Sequence, residues 1–298
     1  MRALAARSTR RERRGDEDRV DRELVRGALN GDARAVDALV RRLQGPVYAL
    51  ALRMVWNPHD AEDATQEILV KVATALSSFR GDSAFRTWVY RLAANHLLNR
   101  RRTRAEEAVG GFEEAAKRIA RTPDQDLDES VPEQRLLAEE TRAGCLLAML
   151  LCLDRAQRLA FVLGETFETS DAIASAVLGI TRANYRQRLA RARKDLFTFM
   201  RGNCGLADPA KPCRCARKTR AAIEAGMVHP GRLRFVPSRV AALRRVTQRR
   251  SRELRPLAEA GYARLFRSQA LPEPPDLTAR LRAVLADRRF RATLDLDR

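Results

Sequence analysis

The residues best placed to do chemistry lie between Asp60 and Arg102, in DAEDATQEILVKVATALSSFRGDSAFRTWVYRLAANHLLNRRR. Ala61, Ala64, Ile68 and Val72 fall at helical spacing and face a core. Asp60, Glu62, Asp63, Gln66 and Glu67 are left on the other faces, where carboxylates suit a basic protein partner. Acids in a first turn also favour the helix dipole, by about 0.3–1 kcal/mol each. That accounts for Asp60 and Asp63 but fades by Gln66 and Glu67. A polar loop follows, Arg80-Gly81-Asp82-Ser83, which suits either a binding pocket or a helix cap. Beyond it Phe85, Trp88, Val89, Leu92 and Leu97 interleave with Arg86, Arg91, Arg100, Arg101 and Arg102. Aromatic rings stack on unpaired bases and guanidinium groups pair with phosphates, the chemistry of an opened nucleic-acid strand. Trp88 and Leu92 equally suit a core. Asn95 is a poor helix former in mid-helix, so it has a hydrogen-bonding task in the core or on nucleic acid.

A second set lies downstream. Ser170 can cap a short helix, and Leu178-Gly179-Ile180 gives the tight turn of a helix-turn-helix. The next helix, Arg182 to Phe199, puts Tyr185, Leu189, Ala192 and Leu196 on one face. Arg182, Asn184, Arg186, Gln187, Arg188 and Arg191 occupy the others, and suit base edges and phosphates in a major groove. A basic amphipathic helix alone is commonly a solvated surface. The capped helix and glycine turn before it favour duplex DNA.

A third set is Cys204, Cys213 and Cys215 in NCGLADPAKPCRCARKTR. The thiolates could bind zinc, with His229 as fourth ligand. They could form a redox disulfide, with Arg214, Arg217 and Lys218 lowering the thiol pKa, or pack as plain thiols. The spacing lacks the usual two-residue zinc knuckle, so all three readings stay open. Elsewhere no paired carboxylates with supporting His or metal-ligand spacing stand out, and His59, His96 and His229 are scattered. The expectation is a binding protein, not an enzyme, requiring no cofactor.

These sets need helices to position them. The 298 residues can hold two small domains with extensions, and a 45% hydrophobic content supplies real cores. A formal charge of +19 favours a polyanionic partner, nucleic acid or an anionic surface, although a solvated arginine-rich face gives the same balance. Met1 to Asp18 is Arg-rich without an apolar segment, so no secretory signal is read there. The longest strongly apolar run, Cys145 to Leu153, is too short to span a bilayer. A cytoplasmic protein with no membrane partner is expected. Five cysteines in a reducing compartment argue against a disulfide framework.

Residues 1–20 read as a basic disordered tail. The pattern from Glu23 to Arg102 is helical, broken at Gly31-Asp32, Gly45-Pro46, Asn57-Pro58 and Arg80 to Ser83, with Asp32 and Asp60 as caps. Residues 103–133 form an acidic linker. Helices resume near Gln134 and run to Met200, a Gly/Pro-rich break follows, and helical patterning returns to the end. Leu277, Leu281, Val284 and Leu285 mark a last helix. The fold class is all-α: two small helical domains joined by a flexible linker, plus a helical C-terminal extension.

At this point a resemblance is plain. Residues 21–102 resemble region two of the extracytoplasmic-function (ECF) subgroup of the sigma-70 family. DAEDATQEI is similar to the helix that docks the polymerase clamp, and FRGDSAFRTWVYRLAAN to the segment that reads and melts the −10 promoter element. By that likeness Asp60, Asp63, Gln66 and Glu67 face core RNA polymerase, and Gly81, Asp82 and Ser83 line a pocket for a flipped −10 base. The strand-binding set becomes Arg80, Arg86, Trp88, Arg91 and Asn95. YRQRLARARKDL resembles the region four recognition helix that binds the −35 element, which places region four at residues 134–200. Two departures stand out: Ala174 occupies a place where a larger aliphatic is usual, before Ser175, and Asn184-Tyr185 replaces the usual Thr-Val start. The cysteine-bearing residues 201–298 resemble the extension of some ECF relatives. The implied partners are core polymerase and promoter DNA, duplex and single-stranded, with room for an anti-sigma factor. The alternative is a helix-turn-helix regulator acting on duplex DNA without polymerase.

Overall fold

The computed structural model describes residues 2–236, 259–269, 271–279 and 281–282. Among them the regular structure is helical, apart from one isolated β-bridge. The chain divides into two compact units: Met1–Tyr48, Glu62–Asn99 and Pro274–Arg298 in unit one, Ala49–Ala61 and Arg100–Glu273 in unit two.

Unit one is built on α1 (Arg2–Leu29), the first part of α2 (Ala33–Val55), most of α3 (Pro58–Thr74) and α4 (Phe85–Asn99), the join of α2 and α3 falling in unit two. Its core joins Leu39, Leu43 and Val47 with Ile68, Val72, Phe85, Val89 and Leu97, all buried. Burying each Leu, Ile or Phe contributes roughly 1.5–3 kcal/mol. Gly31, at φ +85°, ends the first helix, and the Asp32 carboxylate caps the second through the Arg34 N–H at 2.8 Å.

Three expectations change. The first twenty residues start a helix rather than a disordered tail, and Asp18, Asp21 and Arg22 tie its far end into unit one. The expected break at Gly45-Pro46 is absent, and α2 runs through it. An internal proline costs about 3 kcal/mol, which the buried residues on both sides of it, Leu43, Val47 and Leu50, offset. The cap of α3 is Asn57, whose side chain accepts from the His59 N–H at 2.8 Å, so Asp60 is left to the first turn.

Unit two holds α5 (Arg104–Val109), α6 (Phe112–Arg121), α7 (Pro132–Leu151), α8 (Arg155–Phe161), α9 (Asp171–Leu178), α10 (Arg182–Asn203), α11 (Cys215–Glu224) and α12 (Glu259–Arg267). Residues 103–133 differ from a bare flexible tether. Thr103 and Glu106 form a reciprocal capping box at the start of α5. Phe112 of α6 packs on Phe199 of α10 at 5.2 Å between ring centroids. The Glu106 carboxylate meets Arg155 at 2.6 Å and Arg158 at 2.9 Å. Burial opposes its charge, but these bonds and the Thr103 N–H outweigh burial and hold the carboxyl at about 2.

The extension is anchored as well. Glu140 is buried on α7 and accepts backbone N–H groups from Arg234, Phe235 and Val236. Phe235 lies over Gly144, where a Cβ would come within 2.9 Å of its ring. Trp56 has the left-handed φ of 66°, held by an indole N–H bond to the Gly144 carbonyl at 2.9 Å and by the Phe235 ring. Leu277 and Leu281 are buried in unit one. Val284 and Leu285 of the expected last helix lie outside the described residues.

Candidate nucleic-acid interface

The loop between Phe79 and Phe85 is built from its two feet. The rings of Phe79 and Phe85 meet edge to face at 5.2 Å, and Trp88 stacks on Phe85 at 5.7 Å. Trp88 is therefore partly buried in this aromatic group. The polar residues between the feet are held from α1. Arg22 donates to the carbonyls of Gly81 at 3.4 Å and Ser83 at 3.1 Å. Its guanidinium also pairs with Asp18 at 2.9 Å and lies 5.9 Å from the Phe79 ring centroid. The other Asp18 oxygen accepts the Phe85 N–H at 2.9 Å, so the cap of α4 comes from a residue 67 positions earlier. Gly81 sits at φ +81° beside Arg22, where a side chain would be strained.

This arrangement leaves Arg80 and Asp82 exposed at the tip, with Ser83 partly so. Trp88, Arg91 and Asn95 follow along one face of α4, the last two exposed, which puts Asn95 on the surface and not in the core. Arg86 is engaged from behind. It meets Asp21 at 3.0 Å and Glu17 at 3.0 Å, and the same buried Asp21 binds Arg42 at 2.7 Å. Sequence reading missed Asp18, Asp21 and Arg22. Their signal was the run DEDRVDR, acidic at helical spacing within an otherwise basic segment.

On α3, Asp63, Gln66 and Glu67 line an open groove with Val70 and Lys71, and Asp60 stands one turn earlier. The Asp60 carbonyl accepts from Arg100 at 3.1 Å, leaving its carboxylate outside that bond. Glu67 reaches the His96 ring at 3.3 Å, and Lys71 meets the other ring nitrogen at 2.8 Å, so α4 supports the groove from below.

In unit two, Ser170 caps α9 through the Ile173 N–H, and Gly179 turns at φ 64°, ψ 32°. Thr181 caps α10 through the Asn184 N–H at 3.2 Å. Tyr185, Leu189, Ala192 and Leu196 are buried on one face. Arg182, Asn184, Arg186, Gln187 and Arg191 are exposed on the others, with Arg188 partly so. Arg186 forms an ion pair with Asp171 of α9. The unusual Tyr185 fits because Gly164 has no side chain, leaving space for the phenol and for Leu189. Ala174 and Ser175 are buried, and the Ser175 hydroxyl donates to the Ala172 carbonyl.

The cysteines lie beyond α10. Cys204 and Cys213 face each other across an isolated β-bridge. His229 is bonded to Arg234 at 2.7 Å. Burial pushes the thiols of Cys204 and Cys213 up and that of Cys215 to about 12, outweighing the nearby cations expected to lower them.

A capped helix-turn-helix with an exposed basic helix in one unit, and an aromatic and arginine face in the other, define an all-helical DNA-binding protein. The family description Sigma-70 region 2 matches residues 39–107, and Sigma-70, region 4 matches 143–196. The ECF RNA polymerase sigma-E factor of Escherichia coli (strain K12) is 33% identical over 179 residues, which cover 60% of this chain and 93% of that protein. The RNA polymerase sigma-H factor of Pseudomonas aeruginosa is 44% identical over 79 residues, 26% of this chain. That match spans 41% of the relative, less than half its length. The solved structure of CnrH in complex with the cytosolic domain of CnrY has a TM-score of 0.43 at 27% identity, covering 61% of this chain and 98% of that one. The chain belongs to the ECF family of RNA polymerase sigma factors. Its function is promoter recognition with RNA polymerase and transcription initiation, and the polymerase-independent regulator is set aside. No described helix is long and apolar enough to cross a membrane.

Proposed function

We propose that three surfaces divide this work. Asp60, Asp63, Gln66 and Glu67 dock core polymerase. Gly81, Asp82 and Ser83 hold a flipped −10 base, with Arg80, Trp88, Arg91 and Asn95 along the separated strand and Arg86 bracing the loop. Arg182, Asn184, Arg186, Gln187, Arg188 and Arg191 meet the −35 duplex. By this division residues 21–102 act as region two, 103–133 as the linker, 134–200 as region four and 201–298 as an extension. The chain supplies binding and strand capture in the cytoplasm, and polymerase supplies the bond-forming chemistry. An anti-sigma factor blocking core binding would have to cover the acidic groove.

The observation that carries the reading is the loop at Arg80–Ser83. Its backbone is fixed by Arg22 and Asp18 while Asp82 stays exposed. A pre-shaped polar tip beside stacking rings lowers the cost of capturing an unstacked base. Replacing Asp82 and Ser83 by Ala should impair strand opening more than duplex binding, read by permanganate reactivity of −10 thymines. Equal opening by the variant would reject the pocket. Reversing Asp63 and Glu67 to Lys should abolish co-purification with core enzyme at unchanged helical content, since like charges across an interface cost several kcal/mol. Wild-type recovery would reject the docking face.

A further inference from the structure

Helix α8 holds more than its own domain. Arg155, at its start, donates to the carbonyls of Arg100 and Arg101, the latter at 2.9 Å, and pairs with Glu106 at 2.6 Å. Arg158, one turn on and 2% exposed, pairs with Glu106 at 2.9 Å and donates to the Met54 carbonyl near the end of α2. Its other N–H groups reach the carbonyls of Leu150 at 3.0 Å and Leu153 at 3.1 Å, at the end of α7. The Trp56 indole adds a further tie, to the Gly144 carbonyl at 2.9 Å. Met54, Trp56, Arg100, Arg101 and Glu106 fall within the match to region 2, whereas Gly144, Arg155 and Arg158 fall within the match to region 4.

These ties limit reach. Arg100 follows α4 directly, and the 15 residues of α4 make about 22 Å of helix. A domain the size of residues 134–200 is about 30 Å across. While Arg155 holds Arg100 and Arg101, the loop at Arg80–Ser83 lies at most about 55 Å from the −35 face of α10, in whatever direction α4 points. The linker lends nothing, because it begins at Thr103 and is bonded to α8 by Glu106. Elements centred near −10 and −35 are about 25 base pairs apart, or about 85 Å of duplex. Bending that duplex to a chord of about 55 Å takes about 180°, twice what strongly bending proteins impose.

We propose that Glu106, Arg155 and Arg158, with Trp56, form a latch that shuts this sigma factor: while it holds, the chain engages one promoter element at a time, and docking on core polymerase opens it. The latch rests on the −10 and −35 surfaces assigned above. Polymerase opens it to the extent that it binds the parted form more tightly than the shut one.

The test measures avidity with the full chain and no polymerase. The probes come from a promoter that the holoenzyme transcribes: its −35 duplex, its −10 single strand, and a fork carrying both. The unaltered chain should bind the fork no more than about threefold tighter than its better single element. Arg155→Ala with Trp56→Phe removes two ties and leaves Glu106 paired with Arg158. This variant should bind the fork at least about tenfold tighter than either element, because linked sites gain effective concentration. Adding core polymerase should give the unaltered chain the same gain. Fork avidity in the unaltered chain without polymerase, or no gain in the variant, would overturn the latch. If the double variant loses its helical signal, Arg155→Lys decides by the same comparison, since it keeps the charge but cannot span both carbonyls and Glu106. Scrambling either element of the fork with polymerase present separates the two readings. Insensitivity to scrambling removes the surface assignment and the latch with it. Sensitivity to scrambling without a gain in the variant removes the latch alone.

Discussion

In unit one the loop at Arg80–Ser83 is held by charges on a helix 59 to 67 residues earlier in the chain. In unit two the recognition helix is held by its own cap, an adjacent glycine turn and four buried side chains on one face. Both present polar groups at a surface. The loop must offer its backbone and side chains in a shape that no regular element provides, so distant ion pairs fix it. The helix presents its outer face automatically once its inner face is packed. The loop should therefore fail abruptly when one buried charge is lost, and the helix should weaken in small steps.

The largest effect is expected at Asp21, which is 1% exposed and shared between Arg42 and Arg86. Removing one partner of a buried ionic group typically costs about 3–5 kcal/mol. Asp21→Ala should lower stability by that amount in urea unfolding and abolish −10 opening. Binding of −35 duplex should persist at denaturant-free conditions. A loss below about 1 kcal/mol would mean the loop does not depend on the network.

Unit two has a buried charge of its own, which sharpens the contrast. A carboxyl whose pKa falls from 4.5 to about 2 on folding contributes about 3 kcal/mol. The folded pKa is depressed, so this stability is present above pH 4.5 and is lost as pH falls through about 2. Glu106→Gln should remove most of this pH dependence, monitored by thermal melts between pH 5 and 2. An unchanged acid limb would show that Glu106 does not set it.

How much was legible in the sequence follows the same division. Ser170, Gly179 and the Tyr185–Leu196 spacing announce a helix-turn-helix because caps, turns and periodicity act within a few residues. The acidic face on α3 was legible for the same reason. Asp18 as the cap of α4 was not, because nothing local links it to Phe85. Pro46 inside α2 defeats the local rule, since burial on both sides outweighs the missing N–H.

At the recognition helix the expected losses are smaller and depend on the DNA sequence. Arg186→Ala or Gln187→Ala should cost roughly 1–3 kcal/mol where a base edge is read, and relax preference at one −35 position. Arg186 is paired with Asp171, so Gln187 should show the cleaner change in selectivity. Uniform weakening over all sequences would assign either residue to phosphate. Selection of −35 sequences from a randomised pool distinguishes the two.

The smallest change is expected at Thr181, whose hydroxyl accepts the Asn184 N–H at 3.2 Å. An N-cap replaced by Ala typically costs about 1 kcal/mol. The loss is contained because Tyr185, Leu189, Ala192 and Leu196 stay buried below. Thr181→Ala should therefore lower the melting temperature by a few degrees and weaken −35 binding severalfold without altering which sequence is preferred. Thr181→Asp should restore stability, since Asp caps comparably, yet weaken DNA binding by placing a carboxylate beside phosphates. If Thr181→Ala instead unfolds unit two as completely as Asp21→Ala disables the loop, the recognition helix is not held by its packed face, and the contrast between the two surfaces fails.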